Sequence, residues 1–229
     1  MPKTNRLQIG SFLVLATTLL FNSCNRQERI IFLGDSITQE GNQPGGYIDV
    51  IRNASLATGE KNAPEIFGAG ISGNKVPDLQ ARLDKDVLSH NPTIVVIYIG
   101  INDVWHFTMP VGGTKKDRYE AGLKDIIGRV TASGARVILC TPSVVGEKND
   151  RTNPLDPMLD EYSDISRSVA NSLSVPVCDL RKAFQEKLLI ANPENKEKGI
   201  LTRDGVHLNE DGNKFVAERI SESLRAIME

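Results

Sequence analysis

The sequence predicts an α/β fold, a mostly parallel sheet with helices on both faces. Two patterns point there. Strand-sized apolar runs such as Ile30-Ile31-Phe32-Leu33 and Ile94-Val95-Val96-Ile97 are continuous rather than alternating, as in strands buried on both faces. Between such runs lie longer segments with apolar residues at helical spacing, and strand–helix alternation requires parallel strands joined by crossovers. The 229 residues suit one domain whose core needs no disulfide or metal support.

The elements follow in order. Residues 30–33 form the first strand and 46–58 a helix, with Ile48, Val50, Ile51 and Leu56 apolar. A short strand over 65–67 and a helix over 76–88 come next. The most apolar stretch, 93–99, reads as the central strand. A helix over 118–132 carries Leu123, Ile126, Ile127 and Val130 on one face and ends before Gly134, a carboxyl-terminal cap. Strands over 136–140 and 176–178 alternate with helices over 157–173, 180–190 and 210–227. Two stretches, 107–116 and 143–157, contain proline and glycine and read as loops, either plain surface or pocket lining.

The amino terminus reads as a targeting segment. Lys3 and Arg6 precede an apolar stretch over 9–21, which matches a signal core of roughly 7–15 residues and is too short for the roughly 20 of a membrane span. Ser23 and Cys24 follow, in a pattern that resembles a bacterial lipoprotein signal, in which the cysteine becomes the lipid-bearing first residue. Phe21 and Asn22 depart from the usual residues there, so lipidation of Cys24 and simple secretion both stay open. The expected organisation is a signal peptide over 1–23, a short linker over 24–29 and a folded domain over 30–229. Export across a bacterial inner membrane would leave the protein periplasmic or at the cell surface.

Charge and cysteine usage narrow the partners. A formal charge of −2 gives no electrostatic basis for binding nucleic acid. The three cysteines form no Cys-x-x-Cys pair and no cluster with histidine at zinc spacing, so no metal motif is present. Cys140 and Cys178 fall at predicted strands and read as buried free thiols. Asn53-Ala54-Ser55 matches a glycosylation acceptor but lies on a predicted helix, and is discounted.

Four short blocks carry chemistry. Ser36, in Gly34-Asp35-Ser36-Ile37-Thr38, sits at the carboxyl end of the first strand, where open α/β sheets place ligands. Gly70-Ile71-Ser72-Gly73-Asn74 and Gly100-Ile101-Asn102-Asp103 follow the second and third strands. Glycine lets a backbone N–H approach a ligand, and an Asn amide can donate a second hydrogen bond to the same oxygen. Among three histidines, His207 lies in Asp204-Gly205-Val206-His207, where the carboxylate can orient the imidazole and stabilise its protonated form. His90 reads as a solvated helix end.

Taken in order, these blocks resemble those of the SGNH (GDSL-type) hydrolase superfamily over essentially the whole mature chain. The resemblance implies a flavodoxin-like three-layer α/β/α domain of about five parallel strands. It further implies a serine esterase with Ser36 as nucleophile, His207 as general base and acid, and Asp204 as its orienter. The N–H groups of Ser36 and Gly73 and the Asn102 amide would form the oxyanion hole, and no cofactor is needed. Ile37 stands where the family's name has leucine, a change of packing rather than chemistry. Asp35 and Asp103 either tune this site or shape their turns, and Trp105 and His106 either form a substrate platform or pack the loop.

The blocks look most like those of small secreted esterases that remove acetyl groups from carbohydrates, so a short-chain or glycan O-acetyl ester is the expected substrate. A lysophospholipase or thioesterase acting on longer chains is the alternative. A reading from another class is a non-catalytic dinucleotide- or glycan-binding module, because Gly68-Ala69-Gly70-Ile71-Ser72-Gly73 spells a dinucleotide fingerprint. That motif follows the second strand rather than the first, and Thr93 stands about 20 residues on, where an acid should hold the ribose. His207 must be neutral to act as base, so activity is expected to fall toward acid pH.

Overall fold

In the computed structural model, which describes residues 27–59 and 61–228, five parallel strands form one sheet. The strands are β1 (Arg29–Gly34), β2 (Glu65–Gly70), β3 (Ile94–Tyr98), β4 (Arg136–Cys140) and β5 (Val177–Cys178), in the order β2-β1-β3-β4-β5. This is the flavodoxin-like order, and it makes a topological switch point between β1 and β3. The expected signal segment and Cys24 lie outside the described residues.

The apolar runs are strands because both of their faces are covered. All of β3 and residues 30–34 of β1 are buried. Register aligns Ile30 with both Ile66 and Ile94, so three strands bury isoleucines in one shared layer. The helices are α1 (Ser36–Gly41), α2 (Tyr47–Ala57), α3 (Val76–Asp86), α4 (Ile101–Trp105), α5 (Lys116–Ala132), α6 (Asp156–Ser172), α7 (Leu180–Ala191) and α8 (Glu210–Met228). Right-handed crossovers place α3, α5 and α6 on one face and α1 and α2 on the other. α3 packs on α5 and α5 on α6, while α8 returns to pack on α2. Phe184 of α7 meets Phe215 of α8 edge to face, with 5.4 Å between ring centroids.

Several elements differ from expectation. β2 runs on to Gly70, past the expected end at 67, because Gly68, Ala69 and Gly70 keep pairing with Phe32, Leu33 and Gly34. The glycines there serve close packing: a Cβ on Gly70 would lie 2.1 Å from the Gln39 nitrogen of α1. The fingerprint glycines 68 and 70 therefore belong to a strand and open no helix. α4 was not expected, since five residues are too few to show a helical period. The stretch 143–157 is no plain surface loop: residues 143–147 at its start are buried. Cys140 and Cys178 are buried free thiols facing each other in register across β4 and β5. The acceptor-like Asn53 lies within α2.

Candidate active site

The site assembles at the switch point, on the carboxyl edge of the sheet. Ser36 is the first residue of α1, directly after β1 and 8 % exposed. Asp35 caps the helix by accepting the Ile37 N–H at 3.0 Å. Its carboxyl is spent on this turn, while Ser36 faces out of it.

His207 reaches Ser36 from 171 residues away because the 204–207 turn is tightly held. Asp204 Oδ1 accepts the N–H groups of Val206 at 3.0 Å and His207 at 2.8 Å, an Asx-type turn. The other oxygen, Oδ2, lies 2.8 Å from His207 Nδ1. A carboxylate can only accept, so Nδ1 carries the proton and Nε2 presents its lone pair. That lone pair faces Ser36 Oγ at 3.0 Å. Burial works to raise the Asp204 pKa, but hydrogen bonds from the His207 ring and from two backbone N–H groups outweigh it and hold the carboxylate below its usual range.

Beneath this turn is a residue that sequence reasoning missed. Glu147, fully buried, accepts from the N–H of Ile200 at 2.7 Å, of Leu201 at 2.6 Å and of Thr202 at 2.5 Å, and from the Thr202 hydroxyl at 2.9 Å. The Gly146 N–H donates to Gly205 O at 2.7 Å. The loop after β4 thus clamps the segment that carries Asp204 and His207. No motif marks Glu147; in Gly146-Glu147-Lys148 it reads as an exposed charge.

Gly73 and Asn102 follow β2 and β3, the strands on either side of β1. Gly73 has φ +76° with open space around a Cβ, so backbone conformation rather than crowding calls for glycine. Asn102, 3 % exposed on α4, donates from Nδ2 to the carbonyl of Asn74 at 3.1 Å. Asn74 is itself held by Arg82 of α3, whose guanidinium reaches Asn74 Oδ1 at 2.7 Å, Gly34 O at 2.8 Å and Ala69 O at 2.9 Å. Arg82 ties together the ends of β1 and β2 and the glycine-bearing loop. Sequence reasoning missed it too, because it sits unremarked on an amphipathic helix.

Asp103 Oδ1 accepts the Val76 N–H at 3.1 Å, joining the third block to the start of α3. Burial lifts its carboxyl to about 6, against the Thr114 hydroxyl, the Val76 N–H and the Lys75 charge. Asp35 is raised further, to about 7, by burial first and by the neighbouring Asp103 charge, against its bond from Ile37. Trp105 packs against the core. The His106 pKa is lowered, by burial and then by the Lys75 charge.

A hydroxyl, an imidazole and a carboxylate in line, with an amide and a positive-φ glycine after the neighbouring strands, are the parts needed for acyl transfer to a serine. Comparison with known proteins shows the family. Residues 32–215 match the GDSL-like Lipase/Acylhydrolase family model. An acetylxylan esterase of Geobacillus stearothermophilus is 31 % identical over 205 residues, covering 83 % of this chain and 90 % of that protein. An uncharacterized lipoprotein, YqeF, of Bacillus subtilis is 26 % identical over 223 residues, covering 85 % and 88 %. Among solved structures, the acetyl xylan esterase AlAXEase superposes with a TM-score of 0.84 at 44 % identity, covering 85 % of this chain and 98 % of that one.

The chain belongs to the GDSL-like lipase/acylhydrolase family, within the SGNH hydrolase superfamily. It is a carboxylic ester hydrolase.

Proposed function

We propose that this protein is an exported serine esterase that removes O-acetyl groups from carbohydrates. The observation that carries the mechanism is the continuous chain from Ser36 Oγ through His207 Nε2, at 3.0 Å, to Asp204, at 2.8 Å from Nδ1. His207 takes the Ser36 proton as Oγ attacks the ester carbonyl. The resulting oxyanion is stabilised by the N–H groups of Ser36 and Gly73 and by the Asn102 amide. His207 then gives its proton to the departing alcohol, leaving an acetyl-serine. Water, deprotonated by His207, attacks that ester; acetate leaves and Ser36 recovers its proton.

The carbohydrate substrate is supported by the acetylxylan esterase names of two of these relatives. The roles of the triad are supported by solved structures of catalytic mutants of the Geobacillus enzyme, in which a serine, an aspartate or a histidine is replaced by alanine. Export is supported by the amino-terminal pattern and by the relative named a lipoprotein.

Acetate release from acetylated xylo-oligosaccharides, measured beside a chain-length series of p-nitrophenyl esters, tests the reading. The expected result is activity on both acetates, a steep decline beyond about four acyl carbons, and its abolition by Ser36→Ala. Activity that rises toward long chains would replace the acetyl esterase with a lipid or thioester hydrolase. Undiminished turnover by Ser36→Ala would remove the serine mechanism.

A further inference from the structure

Acyl transfer has a direction, and it determines where the alcohol half of the substrate lies. With the carbonyl oxygen on the flank of Gly73 and Asn102, the alkoxy oxygen must face His207 Nε2, which hands it a proton. In an acetylated glycan that oxygen belongs to the sugar, so the sugar extends over the His207 side.

An open groove of about 580 Å³ adjoins the turn that carries His207. Leu208, next to His207 in the chain, lines it, and so does Arg203, whose N–H donates to His207 O at 2.9 Å. Across from Arg203 is Glu40, one helical turn beyond Ser36 in α1, or roughly 6 Å along the axis. The Arg203 guanidinium grips the Glu40 carboxylate in a two-point fork, at 2.8 and 2.7 Å. The pair stays about half exposed, at 52 % and 42 %, leaving outward donors and acceptors. Farther along, Lys214 pairs with Glu210 at 2.6 Å.

The charges select among ligands. Each of the four charged groups named here has an opposite partner within the groove, so no surplus cation is left for a phosphate headgroup. A fixed guanidinium–carboxylate plane instead offers N–H donors and oxygen acceptors side by side, the pattern that adjacent hydroxyls complement. We propose that the groove beside His207 is the leaving-group subsite, and that Arg203 and Glu40 together bind hydroxyls of a neutral sugar there. The proposal rests on the esterase reading above.

The test compares kcat/KM on an acetylated xylo-oligosaccharide with kcat/KM on p-nitrophenyl acetate, whose leaving group lacks hydroxyls, for the wild type, Glu40→Gln and Arg203→Met. The expected ratio, oligosaccharide over p-nitrophenyl ester, falls about tenfold or more in each variant, chiefly through KM. Because Arg203 adjoins Asp204, Glu40→Gln is the cleaner variant, and a second readout accompanies it. Deacetylated xylo-oligosaccharide should inhibit p-nitrophenyl acetate hydrolysis competitively, with an inhibition constant about tenfold weaker in Glu40→Gln. A ratio and an inhibition constant within twofold of wild type would overturn the subsite. So would stronger inhibition by glycerophosphocholine than by the oligosaccharide. Wild-type protein inactive on both acetates would instead overturn the esterase reading beneath it.

Discussion

Asn74 and Asn102, 28 residues apart in sequence, meet where the Asn74 carbonyl accepts one N–H of the Asn102 side chain at 3.1 Å. An amide nitrogen carries two N–H bonds, so this contact holds the second in a defined direction. Arg82, bonded to Asn74 and to the ends of β1 and β2, keeps the accepting carbonyl in place.

Asn102→Ala should lower kcat by roughly 10²–10³ if the free N–H is an oxyanion donor. Arg82→Lys should lower kcat with little change in KM, because a point charge cannot hold three separated acceptors as a planar fork does. Steady-state kinetics below the melting temperature check both. A loss confined to stability, with kcat intact, would make Arg82 structural only.

The Glu147 clamp gives a second expectation. Glu147→Gln puts an NH2 group among N–H donors and leaves buried donors unpaired, each costing about 1–3 kcal/mol. Loss of roughly 3 kcal/mol or more in denaturant unfolding is expected, with a fall in kcat at temperatures where the variant is folded. Unchanged kcat in the folded variant would separate the clamp from the placement of His207.

Asp35 predicts a pH dependence of stability. Its carboxyl titrates at about 7 in the fold against an ordinary 3.8, so between these values the native state keeps a proton that the unfolded chain has lost. Stability from this group is therefore highest below about pH 4, declines as pH rises to about 7, and stays level above. Asp35→Asn keeps an oxygen for the Ile37 N–H but cannot ionise. Unfolding free energies across pH 4–8 should diverge in favour of the variant, by on the order of 4 kcal/mol at most. Parallel profiles would show that Asp35 is not buried as a neutral acid.

Cys24 bears on location. If the amino-terminal pattern directs lipidation, cells expressing the full chain and fed radiolabelled palmitate should label the protein, and Cys24→Ala should not be labelled. An unlabelled, freely released wild type would make it a secreted protein without an anchor.

Much of the fold was legible because strand burial writes itself into local composition. The runs at 30–33 and 94–97 are apolar on both faces, and the 3.6-residue period of α5 shows in Leu123, Ile127 and Val130. The expected β2 ends at 67 because Gly68 and Gly70 signal a turn, whereas in the fold Gly70 admits α1, and Gly68 the Asn42 side chain at its end, against the sheet. α4 escaped because a single turn of helix has no period to detect.

The candidate site divides along the same line. Asp204 and His207 could be paired from sequence alone, since three-residue spacing within a turn is local geometry, whereas the positive φ of Gly73 is seen only in the fold. Local composition carries the strand runs, the order of the four blocks and the family they resemble. Folding alone sets Glu147 against residues 200–202 ahead of Asp204, Arg82 on Asn74, and Glu40 in an ion pair with Arg203. Those contacts join residues from 8 to 163 positions apart. Burial and strand order bring them together, and no spacing along the chain records it.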